Sequence, residues 1–245
     1  MFYNYKENKT KNIKFTASTK EVEIGGTPPQ SAVKFIPEWY KKINQWTNGD
    51  KKLKHPPNSQ SHNASIKRCV PFIDAMTAGY IFSLDDDVYV EILESGDPYF
   101  RWKSDVEMVT WHSPDQWEGF PIPSGYHLII AKWHNEWQIN TPKGYSLWVT
   151  HPSNRHDLPF HTLNGFVDTD SYNMGIHFPF LLKKGFEGII PAGTPLAQII
   201  PFKRDNWVSE QEKFDLDIQY ARKRTFWKTF AGSYKANYWT KKKYQ

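Results

Sequence analysis

The chain has 245 residues, 16% of them aromatic, one cysteine, a formal net charge of +5 and a pI near 9.0. That length accommodates one all-β domain with extensions or two small domains, no apolar run approaches the roughly 20 residues that span a bilayer, and the lone Cys69 excludes an internal disulfide and cysteine-rich zinc sites. Lysine-rich ends carry much of the basic excess, so nucleic acid is not indicated as a partner, and the N-terminal stretch MFYNYKENKTKNIKF lacks the apolar segment of a signal peptide.

Residues 1–65 read as an arm without regular structure over most of its length. Within it Pro37 is placed to open a short amphipathic helix carrying Trp39, Tyr40 and Ile43, and the polar run TNGDKKLKHPPNSQSHNAS has the composition of a mobile loop. From Ile66 the texture changes to short apolar stretches punctuated by turn residues: GYIFSL, DVYVEIL, HLIIAKW, YSLWVTH, IHFPFLL, FEGIIPAG and LAQIIPF. This is the pattern of an all-β domain over 66–207, with prolines such as Pro179 marking edges and bends. Asp85, Asp86 and Asp87 read first as a polar turn before a strand. Beyond 207, Ser209 and Glu212 stand in capping-box spacing ahead of Phe214, Ile218, Tyr220 and Ala221, so 208–245 is expected to hold a C-terminal helix followed by a basic, aromatic tail. The aromatic residues are expected to pack under long loops or at subunit contacts, with sugar or base stacking as the alternative.

The stretch LNGFVDTDSYNMGIHFPF, Leu163 to Phe180, sets Asp168 and Asp170 in a hairpin between apolar runs. Two aspartates at a turn cap backbone amides, or they hold and polarise water. His156, His161 and His177 lie close enough in sequence to Asp168 to be weighed as zinc or iron ligands, although their spacing matches no compact motif and packing histidines are the simpler reading. Arg155 and Lys143 are cations near the same region, and solvated surface charge is the simpler reading for both.

Four segments, in order, resemble the motifs of the trimeric dUTPase and dCTP deaminase superfamily: MTAGYIFSL, TPKGYSLWVTHPSNR, LNGFVDTDSYNMGIHFPFLL and IIPAGTPLAQIIPF. The resemblance covers about half the chain and implies a dUTPase-like β-clip core with an irregular N-terminal arm and a C-terminal helix. It also implies a homotrimer with pockets between subunits. By position it assigns Asp168 to water and phosphate, Tyr172 to the sugar and Ser153 to phosphate, while Gln198 follows the fourth motif; Gly165 and Gly175 would let main-chain amides approach a base edge. Arg155, Asp170 and Gln198 complete the expected ligand-binding set. KRCVPFIDAMTAGYI and IPAGTPLAQIIPFKRDNW further resemble an uncharacterised family of tailed phages, especially of marine bacteria, which implies other phage proteins as partners and a location in host cytoplasm or virion.

The chain departs from the superfamily pattern where charge matters most. Ile81, Pro152, Asn173 and Pro195 stand where the family has an aspartate and three arginines, and Ser171 is an extra residue before Tyr172. These changes remove most of the capacity to hold a triphosphate and magnesium, the metal such chemistry implies. Binding of a nucleotide or related small phosphorylated molecule therefore ranks first, a ligand-free assembly role in the phage particle second, and a nucleotide hydrolase or deaminase-like enzyme third.

Overall fold

A computed structural model describes residues 10–46, 64–172, 174–228 and 233–245. Most of the polar run, 47–63, and Asn173 lie outside the described residues. By internal contacts the chain divides into two compact units, residues 1–30 with 79–204, and residues 31–78 with 205–245. No described helix is long and apolar enough to cross a membrane.

The first unit is mainly β. In chain order it contains strand β1 (Lys14–Ala17), helix α1 (Lys20–Gly25) and the short strand β2 (Gln30–Ser31), whose first residue closes this part of the unit. After the intervening segment come β3 (Tyr80–Ser83), β4 (Val88–Ile92), β5 (Pro98–Arg101), β6 (Val109–Trp111), β7 (Tyr126–Trp133) and β8 (Trp137–Asn140). They are followed by β9 (Tyr145–Thr150), β10 (Phe160–Thr162), β11 (Gly165–Val167), β12 (Phe178–Lys183), β13 (Gly188–Ile190) and β14 (Pro195–Lys203). These make a five-stranded sheet of order β11-β9-β14-β3-β2, a four-stranded sheet β10-β12-β7-β6, a three-stranded sheet β13-β4-β5 and the pair β1-β8. The long pairings, β7 with β12 and β9 with β14, are antiparallel.

Aromatic residues build the core of this unit. Trp133 stacks on Phe180 at 4.1 Å between ring centroids, with Phe160 and Phe100 packed edge-on against Phe180. Trp133, Phe160, Phe178 and Phe180 are fully buried, so part of the aromatic excess is a packing device. The N-terminal arm is more ordered than its composition implies, because β1 pairs in register with β8 and Phe15 packs edge-on against Tyr80. Gly79, from the first motif, has φ +68°, and a Cβ there would stand 1.9 Å from the carbonyl oxygen of Ile199. Only glycine lets β3 begin this close to β14.

The second unit holds helices α2 (Glu38–Lys42), α3 (Val70–Thr77), α4 (Leu216–Lys228) and α5 (Ser233–Asn237). Pro37 caps α2 as expected, and Tyr40, buried, stacks on Phe72 at 5.9 Å. The C-terminal helix begins later than Ser209 and Glu212 imply. Asp215 accepts hydrogen bonds from the amides of Asp217 and Ile218 at 2.9 and 3.0 Å, and this cap sets the start at Leu216. The tail is anchored within its own unit: Trp239 Nε1 and Lys242 Nζ both reach the Asp74 carboxylate of α3, at 2.8 and 2.7 Å.

Candidate functional site

The strands that carry the four motifs are adjacent in one sheet. β11, β9, β14 and β3 are consecutive neighbours there, although 61 or more residues separate β3 from the others in sequence. Their register places Phe166 opposite Trp148, Trp148 opposite Ile200, and Thr150 opposite Gln198. Alternation then puts Leu147, Val149, Gly165 and Val167 on one face and Ser146, Trp148 and Phe166 on the other.

At one end of β9, Asp168 and Asp170 meet a cation. Ser146 Oγ donates to Asp168 at 2.6 Å, and the Arg204 guanidinium lies 3.1 Å from the same carboxylate. Arg204 also binds Asp170 through both of its terminal nitrogens, and the amide of Gly144 donates to Asp170 at 2.8 Å. The Arg204 and Gly144 hydrogen bonds hold the Asp170 carboxyl down at about 2. Gly144 itself has φ +83° at the third position of the turn Pro142–Tyr145, closed by the Tyr145 amide on the Pro142 carbonyl at 3.1 Å, a place that favours glycine. Asp170, expected to touch ligand, is thus engaged in fastening the hairpin to the Gly144 turn. The Asp168 side chain is 64% exposed, and its main-chain carbonyl accepts the Ser171 and Tyr172 amides at 3.1 and 2.8 Å. Tyr172 projects beside it, 46% exposed.

Ser153 and Gln198 meet at the other end of β9. The Ser153 amide donates to Gln198 Oε1 at 2.8 Å, and Gln198 is fully buried. Ser146 and Thr150, which mark the two ends, are four residues apart, about 13 Å at 3.3 Å per residue. Within one chain the structure therefore brings Asp168 together with Asp170, and Ser153 together with Gln198, but not the two pairs with each other. Arg155 grips Asp157 in a two-pronged pair at 3.0 and 2.9 Å. His151 ties this loop down, with Nε2 toward the Arg155 carbonyl at 3.0 Å and Nδ1 accepting the Thr162 amide at 3.2 Å. Burial pushes its pKa down to about 4.

Between the arms of the hairpin lies a pocket of about 400 Å³. The Leu163 amide donates to the Pro179 carbonyl at 2.7 Å; beyond that rung the arms part, because β11 joins β9 in the five-stranded sheet while β12 joins β7 and β10 in the four-stranded one. Val149, Gly165 and Val167 form one wall, Ile176, His177 and Pro179 another, and Trp117 and Phe120 from the turn after β6 a third. Gly165 has no backbone need for glycine: its φ is ordinary and a Cβ would meet no atom within 4 Å. Its missing side chain leaves open space in the pocket instead. Gly175 is constrained, since a Cβ there would come within 3.2 Å of the Asn135 carbonyl. A second cavity, lined in part by Leu84, Met108, His134 and Trp137, measures about 40 Å³ and has room for little beyond water.

The histidines separate. His177 packs on His134 at 4.2 Å between ring centroids, whereas His161 packs on His151 at 4.5 Å. His156 is exposed, and its proximity helps push the pKa values of His151 and His161 down. Among the described residues no three histidine, cysteine or acidic side chains converge as a metal site. The acidic turn serves backbone amides: Asp85 accepts from Thr27, Asp86 from Ser104 and Asp87 from Ala192, at 3.0, 3.0 and 2.7 Å.

Arg204, Ser146, Trp117 and Phe120 were not singled out by sequence. Arg204 becomes visible only through strand register, which sets Lys203 opposite Tyr145 and Phe202 opposite Ser146. The two aromatics sit in WHSPDQWEGF, a cluster with no motif to mark it.

No protein-family model and no curated protein matches the chain. Among solved structures the chain is similar to the native dUTPase of EIAV, with 15% identity and a TM-score of 0.28 over 53% of this chain and 92% of that one.

Proposed function

We propose that the protein binds a nucleotide or a related small phosphorylated molecule, with the ligand's ring held in the pocket between the hairpin arms. The observation that carries this reading is the pocket itself: about 400 Å³, largely apolar, with few polar side chains, as expected of small-molecule sites. Binding ranks ahead of turnover because Asp168 shares the Ser146 face of the sheet, while the pocket opens on the Gly165 and Val167 face of the same subunit. Asp168 is also already paired with Arg204. A homotrimer is the assembly we assign, by the sequence resemblance. The Asp168–Arg204 end of one copy and the Ser153–Gln198 end of another are the halves that such an assembly would bring together.

A second reading, ligand-free assembly in a phage particle, is favoured by Phe166 and Trp148, 73% and 39% exposed on the same sheet face. A thermal-shift titration with dUMP and dUTP, with and without magnesium, separates the two. A ligand that binds only the native state at a hundredfold excess over its Kd stabilises by about 2.7 kcal/mol. A nucleotide-dependent rise in Tm supports binding; no rise at millimolar nucleotide, with self-association lost on Phe166→Glu, supports assembly. Hydrolysis would appear as turnover abolished by Asp168→Ala.

A further inference from the structure

His177 is one of three side chains of the pocket, with Asn164 and the indole nitrogen of Trp117, whose polar atoms have no hydrogen-bond partner among the described residues. Apart from it and Asn164, the lining residues carry apolar or aromatic side chains or, at Gly165, none. His177 is solvent-exposed, and among the described residues its ring nitrogens have no hydrogen-bond partner. Its ring plane is held from behind. The His134 ring lies 4.2 Å away at 34°, and His134 is fixed by its own Nε2 against Thr110 Oγ1 at 2.7 Å and by Nδ1 facing the Glu107 carboxylate at 3.6 Å. The pair stands between the two cavities, with His177 on the large pocket and His134 on the small one.

A neutral imidazole presents one donor and one acceptor, whereas a phosphate is best met by a cation. His177 is kept neutral near pH 7 by desolvation first, then by His134 and Lys132, against the opposing pull of Glu136 and Glu107. The His177 side of the pocket is therefore suited to the uncharged edge of a heteroaromatic ring.

Resting on the pocket reading above, we propose that His177 is the specificity-determining residue of the site, exchanging a hydrogen bond with the edge of a bound nucleobase, and that His134 is its positioning residue. The imidazole selects which donor–acceptor edge is accepted, and the Trp117 and Phe120 rings supply apolar contact that any base would use. Acidification converts the donor–acceptor pair into two donors, so recognition changes with pH in a way that apolar contact alone would not. The charged groups that face the pair are Glu107, Glu136 and Lys132.

The test is calorimetric titration of the full chain with dUMP, dCMP, dTMP, dAMP and dGMP at pH 7.5 and 5.5, repeated with His177→Phe, His177→Asn and His134→Gln. The wild type is expected to prefer one base. His177→Phe should weaken that base by roughly three- to tenfold, the range of one net hydrogen bond, and level the five affinities, with Tm unchanged. His177→Asn should keep a preference without its pH dependence. His134→Gln should move the loss of affinity on acidification to higher pH, since His134 helps hold the His177 pKa down. If the wild type binds a base and His177→Phe leaves the ratios among the five unchanged, the assignment is overturned and the pocket reading stands. If none of the five binds the wild type, the pocket reading falls and the assignment with it.

Discussion

Replacing Gly165 by valine separates folding from binding. Gly165 lies in β11, opposite Val149 on β9, with an ordinary φ and no heavy atom within 4 Å of an added Cβ. Glycine inside a strand costs about 0.5–1 kcal/mol in chain entropy relative to alanine, and β-branched residues suit a pleated strand better still. Partial burial of the new methyl groups beside Val149 and Val167 adds a few tenths more. The net expectation is a stabilisation of about 1 kcal/mol, a rise of about 2–4 °C in Tm for a chain of this size. The same isopropyl group occupies the slot between the hairpin arms, so dUMP or whichever nucleotide binds the wild type should lose at least roughly tenfold in affinity, about 1.4 kcal/mol. Thermal denaturation and calorimetric titration of one preparation give both numbers. A fall in Tm would mean that the space beside Gly165 is filled; an unchanged affinity with a raised Tm would mean that ligand binds elsewhere.

Gly79→Ala tests the opposite case, since its Cβ would meet the Ile199 carbonyl at 1.9 Å: denaturant unfolding should show a loss of more than about 2 kcal/mol, and a wild-type midpoint would refute the close approach of β3 to β14. Arg204→Gln should let the Asp170 carboxyl rise from about 2 toward the ordinary aspartate range, read from its carbon chemical shift across a pH titration; a carboxyl still titrating near 2 would show that Gly144 alone suffices. His151 has a folded pKa of about 4, below its unfolded value near 6.5, so the unfolded chain takes up the proton first as pH falls. Its contribution to stability is complete above pH 6.5 and declines between 6.5 and 4 by roughly 3 kcal/mol. His127, His134, His161 and His177 are depressed in the same direction by burial and share the slope. His151→Gln should flatten the stability–pH curve in that window; a curve that stays as steep would assign the effect to the others.

What the sequence disclosed and what it hid follow from the range of the forces involved. Period-two apolar runs and glycine-bearing turns are local, so the strands around Tyr80, Tyr145 and Pro195 and the helix opened by Pro37 were readable. The Asp215 cap was hidden by a better-looking box at Ser209 and Glu212, because spacing alone does not reveal which side chain reaches an amide. Residue types at the hairpin were legible; their partners were not. Arg204 reaches Asp168 and Asp170 across a strand pairing whose register no short window contains. That positions 152 and 195 carry proline and no cation was thus plain to see, while a guanidinium arriving at the hairpin from beyond β14 was not. Likewise Trp117 and Phe120 come to the pocket from a turn some forty residues before the hairpin.

The Leu163–Pro179 rung has a mechanical meaning. Among the described residues it is the last backbone hydrogen bond between two arms that then enter different sheets, so a tilt of one sheet against the other would pivot there and change the width of the gap beyond it. A flat ring seated in that gap would be a shim. It would fix the tilt, and the rigidity gained would spread along β9 and β7, to which the two arms are pinned. Amide exchange should then slow in strands that never touch the ligand, with protection strongest at the rung itself.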